Sequence, residues 1–127
     1  MRERKILIID DDADIRLGLN ARLRANGFTT AFAEDGLNAV PTARREKPDL
    51  ILLDLGLPGG DGFVVLKRLR LQPDLACIPV IVLTARDAEE NEKRALEAGA
   101  TAFFQKPIEN AELLVAIERQ LDPGIAS

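Results

Sequence analysis

The chain has no histidine, tryptophan or tyrosine and only one cysteine among its 127 residues. Without histidine, Cys77 has no imidazole to activate it as a nucleophile. Without a second thiol it cannot close an internal disulfide, which suits a reducing compartment. A buried thiol is therefore the expectation for Cys77. The missing tryptophan and tyrosine remove the rings that would stack on a flavin. No apolar run approaches the ~20 residues that a bilayer-spanning helix needs, and no signal-like segment opens the sequence. These absences favour a cytoplasmic protein without membrane contact.

Positive charge is also scarce: the net charge is −4 and the pI is near 4.9. That balance argues against direct binding to nucleic acid. The densest basic stretches are Arg44, Arg45 and Lys47, then Lys67, Arg68 and Arg70. Each falls on an expected helix beside apolar residues and reads as a solvated face. With 46% hydrophobic and 30% charged residues the chain is globular. Its length fits one domain over residues 1–127, burying roughly two thirds of the unfolded surface.

Apolar runs alternate with helix-period segments five times, as in a parallel α/β sheet. The expected strands are Lys5–Ile9, Thr29–Ala33, Leu50–Leu53, Val80–Leu83 and Ala102–Gln105. Asp12 is placed to cap the first helix, whose stripe is Ile15, Leu19 and Leu23 and whose end is Gly27. The second helix runs through about Lys47 with Pro41 inside its pattern. Either a kink or a late start, with Pro41 in the first turn, is expected. A turn-rich loop, Leu57-Pro58-Gly59-Gly60-Asp61-Gly62, precedes a helix carrying Phe63, Leu66 and Leu69. The next helix spans about Ala88–Ala98. The last places Leu113, Leu114, Ile117 and Leu121 on one face. The tail from about Asp122 to Ser127 has no periodicity and is expected to fray.

The first, third and fourth strands are unbroken apolar runs, as strands covered on both faces should be. The second and fifth are weaker and suit the edges. The expected fold is a doubly wound five-stranded parallel sheet, order 2-1-3-4-5, with five helices and right-handed crossovers, a flavodoxin-like arrangement.

Acids then collect where such sheets bind ligands, outside the carboxyl ends of the strands. Asp10-Asp11-Asp12 follow the first strand and Asp54 the third, while Thr84 and Lys106-Pro107 end the fourth and fifth. Carboxylates gathered in one pocket repel one another unless a cation joins them. Magnesium, or manganese, takes oxygen ligands of this kind. Asp11 and Asp54 suit direct ligation, Asp10 a metal-bound water, and the Gly56 carbonyl a further position. The set reads as a phosphoryl-accepting site: Asp54 is the nucleophile, Lys106 neutralises one phosphoryl oxygen, and the Thr84 hydroxyl bonds another. Phe103 lies beside these residues, on an edge strand.

In these residues the chain resembles the receiver domain of bacterial two-component response regulators. The matching segments are Ile6–Asp12, Pro48–Gly62, Pro79–Ala85 and Gly99–Pro107, including the Phe-Phe-Gln-Lys-Pro ending. The resemblance implies that Asp54 takes a phosphoryl group from a sensor histidine kinase, with Asp10 and Asp11 serving magnesium. It implies that Thr84 and Phe103 relay the signal, the ring turning inward on phosphorylation, and that Lys106 contacts the phosphoryl group. It also implies a cis Lys106-Pro107 bond. The partner face would be helix 4, strand 5 and helix 5, read by a downstream protein or an output domain. Such a domain catalyses only its own phosphoryl transfer and slow dephosphorylation. Gly56 lacks the side chain that many relatives place near an attacking water, and Arg86 is long and cationic; both bear on phosphoryl lifetime.

Two readings from other classes compete. A haloacid-dehalogenase-type phosphatase would use Asp10 as nucleophile and Asp12 as acid/base, but it leaves Asp54 without a role and has no acidic metal motif at a later strand end. A flavin module of the same topology would set its phosphate loop where this chain has three carboxylates.

Overall fold

The computed structural model describes residues 3–57 and 61–122. Strands and helices alternate as β1 (Lys5–Ile9), α1 (Ala13–Ala25), β2 (Thr29–Ala33), α2 (Gly36–Glu46), β3 (Leu50–Leu53), α3 (Gly62–Leu71), β4 (Val80–Thr84), α4 (Ala88–Glu97), β5 (Ala102–Gln105) and α5 (Asn110–Leu121). The strands form one parallel sheet in the order β2-β1-β3-β4-β5, as the apolar pattern predicts. Strands β1, β3 and β4 are buried almost throughout, whereas β2 and β5 have exposed positions.

Side-chain alternation along the strands sends apolar groups to two cores. One joins Leu7, Ile9, Ile51, Leu53, Val80 and Val82 to α2, α3 and α4 through Ala39, Ala43, Phe63, Leu66 and Ala95. The other joins Ile6, Ile8, Leu50, Leu52 and Ile81 to α1 and α5 through Leu19, Leu23, Leu113 and Ile117. Each fully buried leucine or isoleucine contributes about 1.5–3 kcal/mol. The contiguous runs in the three central strands therefore hold the sheet on both faces at once.

Aspartates open four of the five helices. Asp12, Asp35, Asp61 and Asp87 each accept a hydrogen bond from a first-turn N–H through their side chains, satisfying donors that the helix cannot. The charges also suit the positive end of the helix dipole.

Several expectations need correction. Helix α2 begins at Gly36, so Pro41 lies in its interior and not in its first turn. Pro41 has no N–H to return to the carbonyl one turn back, at Leu37, and that turn faces solvent. Cys77 is exposed, because it falls in the connection between α3 and β4 and not on an apolar face. Arg70 is not a solvated cation. Its Nε donates to Gly99 O at 2.9 Å, and its Nη1 donates to Ala76 O at 2.7 Å and Ile78 O at 2.9 Å. Gly99 is required there twice over, by its φ of +110° and because a Cβ would lie 2.7 Å from Arg70 Cγ. Pro58-Gly59-Gly60 of the turn-rich loop, and the frayed tail expected beyond Asp122, lie outside the described residues.

Gly62 fixes where that loop returns to the sheet. A Cβ at Gly62 would lie 2.4 Å from Leu55 Cα and 2.7 Å from the Asp54 carbonyl oxygen. Both are backbone atoms, which cannot swing aside. Gly62→Ala should therefore cost about 1–3 kcal/mol of unfolding free energy, measured by urea denaturation. An unchanged midpoint would mean that α3 shifts away without penalty.

Candidate functional site

The parallel register builds the site. Ile9 pairs with Leu53, so the next residues, Asp10 and Asp54, emerge side by side at the carboxyl edge. The ladder runs on past the strands: Asp54 N donates to Ile9 O at 3.0 Å and Asp10 N to Ala33 O at 3.2 Å. On the other side, Lys106 N donates to Thr84 O at 2.7 Å. Asp10, Asp11 and Asp54 each bring one carboxylate oxygen within 4.8 Å of the others, close enough to share one metal ion.

Each acid sits in a different environment. Asp10 is 3% exposed; its Oδ1 accepts from Asp12 N at 2.9 Å and its Oδ2 from Lys106 Nζ at 2.7 Å. Asp54 is mostly buried, with Oδ2 3.8 Å from the same Nζ and Oδ1 accepting from Gly56 N at 3.2 Å. Asp11 is exposed. A Cβ at Gly56 would lie 3.9 Å from both Asp54 oxygens, so glycine leaves that side of the carboxylate open. Thr84 is buried, and its Oγ1 accepts from Arg86 N at 3.3 Å. The Lys106-Pro107 bond is cis. Phe103 is opposite Val82 in the register, and so shares a sheet face with Thr84. Phe103 is itself buried, in the core cluster that includes Val82 and Ala95.

The cluster holds three carboxylates, and Lys106 reaches two of them, Asp10 and Asp54, so formal negative charge is in excess. Burial pushes the Asp10 carboxyl above its ordinary value, despite the opposing hydrogen bonds from Lys106 and from the Asp12 amide; the Asp54 charge adds to the upward push. Desolvation therefore outweighs the lysine. The donors are oxygens only, which suits a hard divalent cation, and the exposed Asp11 leaves a side open to water.

A family model for the response regulator receiver domain matches residues 6–118. The chain belongs to this family. The receiver is 42% identical over 123 residues to the phosphate regulon transcriptional regulatory protein PhoB of Escherichia coli, covering 94% of this chain and 54% of that protein. It is 40% identical over 114 residues to the response regulator PleD of Caulobacter vibrioides, covering 89% of this chain and 25% of PleD. The chain thus spans between a quarter and about half of these relatives. Among solved structures it is similar to the receiver domain of the sensor histidine kinase PA1611 from Pseudomonas aeruginosa, which has a magnesium ion coordinated in its active-site cleft. The TM-score is 0.86 at 31% identity, covering 94% of this chain and 98% of that one.

Neither competing reading finds support. Asp12, the acid/base of the phosphatase reading, turns its carboxylate to the first amides of α1, accepting from Asp14 N at 2.9 Å and Ile15 N at 3.2 Å. Among the described residues no helix is long and apolar enough to cross a membrane. Two side chains of the receiver site escaped sequence reasoning. Arg16 Nη1 donates to Asp10 O at 2.9 Å, and Gln105 Oε1 accepts from Ala88 N at 3.1 Å, tying β5 to the start of α4. Arg16 stands one helical turn beyond Asp12, and that spacing was the available signal.

The sign of the Asp10 shift gives a test. A carboxyl raised in the folded state holds its proton to higher pH than in the unfolded chain. Ionising it therefore destabilises the fold as pH rises from about 3.8 through the raised value, and the penalty is complete above that. Asp10→Asn should then raise the thermal midpoint at pH 7 without divalent cations, with the gain shrinking toward pH 4. A midpoint lowered at pH 7 would mean that the lysine pairing outweighs burial.

Proposed function

We propose that Asp54 is the phosphoacceptor of this receiver. The observation that carries the reading is a mostly buried carboxylate at the end of β3, 3.8 Å from Lys106 Nζ and clustered with Asp10 and Asp11. A carboxylate oxygen of Asp54 attacks phosphorus in line, and the bond from phosphorus to the nitrogen of a phosphohistidine on a sensor histidine kinase breaks. The leaving imidazole takes up a proton. Lys106 neutralises a transferring oxygen and the Thr84 hydroxyl donates to another, provided that it turns from the Arg86 amide.

Asp11, Asp54 and the Gly56 carbonyl would hold magnesium, or manganese, with Asp10 orienting a bound water. Bound there, the cation would neutralise the crowded acids and the developing charge on the phosphoryl oxygens. The PA1611 receiver, with magnesium in its cleft, supports this choice of metal. The open side at Gly56 and the long cation of Arg86, paired with Asp61 at 3.7 Å, are the features proposed to set the rate of slow self-catalysed dephosphorylation. The setting is the cytoplasm, consistent with the exposed free thiol of Cys77.

Acetyl phosphate and magnesium should add one phosphoryl group, read by mass spectrometry. Asp54→Asn should abolish it, and Asp11→Ala should slow it by about tenfold or more. Equal labelling of Asp54→Asn would overturn the assignment.

For output we propose the α4–β5–α5 face, presented to a downstream protein or an output domain in a longer regulator. PhoB and PleD, both far longer than this chain, make such a partner reasonable. Thr84 and Phe103 connect the site to that face. Phosphorylation draws the Thr84 hydroxyl to the phosphoryl group and opens space into which the Phe103 ring turns further. Beryllofluoride should shift amide NMR signals at Thr84, Phe103 and Ala88–Glu97. Shifts confined to residues 10–12 and 54–57 would overturn the relay.

A further inference from the structure

Asp11 is the acid of the cluster with the least support of its own. It is exposed, and its carboxylate makes no hydrogen bond to any described residue. Its direction therefore depends on the two peptides that flank it. The peptide after it is pinned because Asp12 N donates to Asp10 Oδ1 at 2.9 Å. The peptide before it is pinned by Arg16, whose Nη1 donates to the Asp10 carbonyl oxygen at 2.9 Å.

Arg16 is well placed for this. Its side chain is 18% exposed, and its Nη2 lies 3.7 Å from Glu34 Oε1 in the connection between β2 and α2. Its stem rises from the first turns of α1, where Arg16 N donates to Asp12 O at 3.0 Å. The planar fork thus has one end on the residue just past β1 and the other beside the residue just past β2, so the guanidinium cannot swivel without losing a contact.

We infer that Arg16 is a positioning residue for the metal site, holding the Asp10–Asp11 peptide so that the Asp11 carboxylate faces Asp10 and Asp54. The inference rests on the proposed metal site and adds a residue to it. It also has a distinctive sign. By charge alone, removing a cation beside a pocket for a divalent ion should tighten binding. By positioning, removing it should weaken binding, as loss of groups that orient metal ligands does.

The test is magnesium titration of the full chain at pH 7, followed by calorimetry and amide NMR, with unfolding free energy measured separately without magnesium. Arg16→Gln should raise the magnesium Kd by about tenfold. Arg16→Lys, which keeps the charge and loses the fork, should fall between, and it carries the test if Arg16→Gln does not fold. Glu34→Gln should stay within about threefold of the unchanged chain, because the bond to the Asp10 carbonyl remains. A purely structural role would lower stability without magnesium and leave the Kd of the folded protein alone. An unchanged or tighter Kd in both Arg16 variants, with normal binding by the unchanged chain, overturns the inference alone. Failure of the unchanged chain to bind magnesium overturns the metal reading and this inference with it.

Discussion

The structure turns on one lysine shared between two buried carboxylates of a three-acid cluster. Lys106 Nζ touches Asp10 at 2.7 Å and stands 3.8 Å from Asp54, in a site where both partners are largely withdrawn from water. Taking such charges out of water costs several kcal/mol per ion, and an ion pair repays that only when its geometry and remaining hydrogen bonds are good. Here the second oxygen of Asp10 is satisfied by the Asp12 amide, yet burial still dominates its titration. The acids are held together against their own preference by the sheet register. Such crowding is relieved by a cation, and that is the role proposed for the site.

Much of this was legible in the sequence, because both the fold and the site follow from strand ends. Runs such as Ile6–Ile9 and Leu50–Leu53 declare buried strands without help from context. Once parallel order is inferred, the residues just past them must converge. Asp10, Asp54, Thr84 and Lys106 were readable for that reason. What escaped was decided by elements distant in sequence. Arg70 reads as a solvated helix cation until the turn at Gly99 and the carbonyls of Ala76 and Ile78 are brought to it. Arg16 drew no reading from the sequence, because its partner is a backbone carbonyl, that of Asp10. The burial of Cys77 was misjudged because apolar character was weighed without its position in a connection. Pro41 left a kink or a late helix start open, and the helix runs through it, its exposed turn tolerating the missing donor.

The two sides of the site differ in how firmly they are held. On the α1 side, Leu19 and Leu23 are buried, and Arg16 and the Asp12 cap lock the backbone between β1 and the helix. On the other side, α4 fully buries only Ala95, whose methyl contributes about 0.8 kcal/mol, against about 1.5–3 for each buried leucine of α1. Much of what fastens α4 is polar and near its ends: Gln105 on the Ala88 amide, and Arg94 over the Phe63 ring at 3.8 Å. Exposed contacts of this kind are worth about 1 kcal/mol or less each. A structural element held so lightly shifts for small changes in free energy, whereas the α1 side resists them. Thr84 belongs to the lightly held side, since it shares a sheet face with Phe103 and bonds the Arg86 amide ahead of α4. In the proposed relay, a pull on its hydroxyl would therefore pass toward α4, while the acid cluster would keep its geometry.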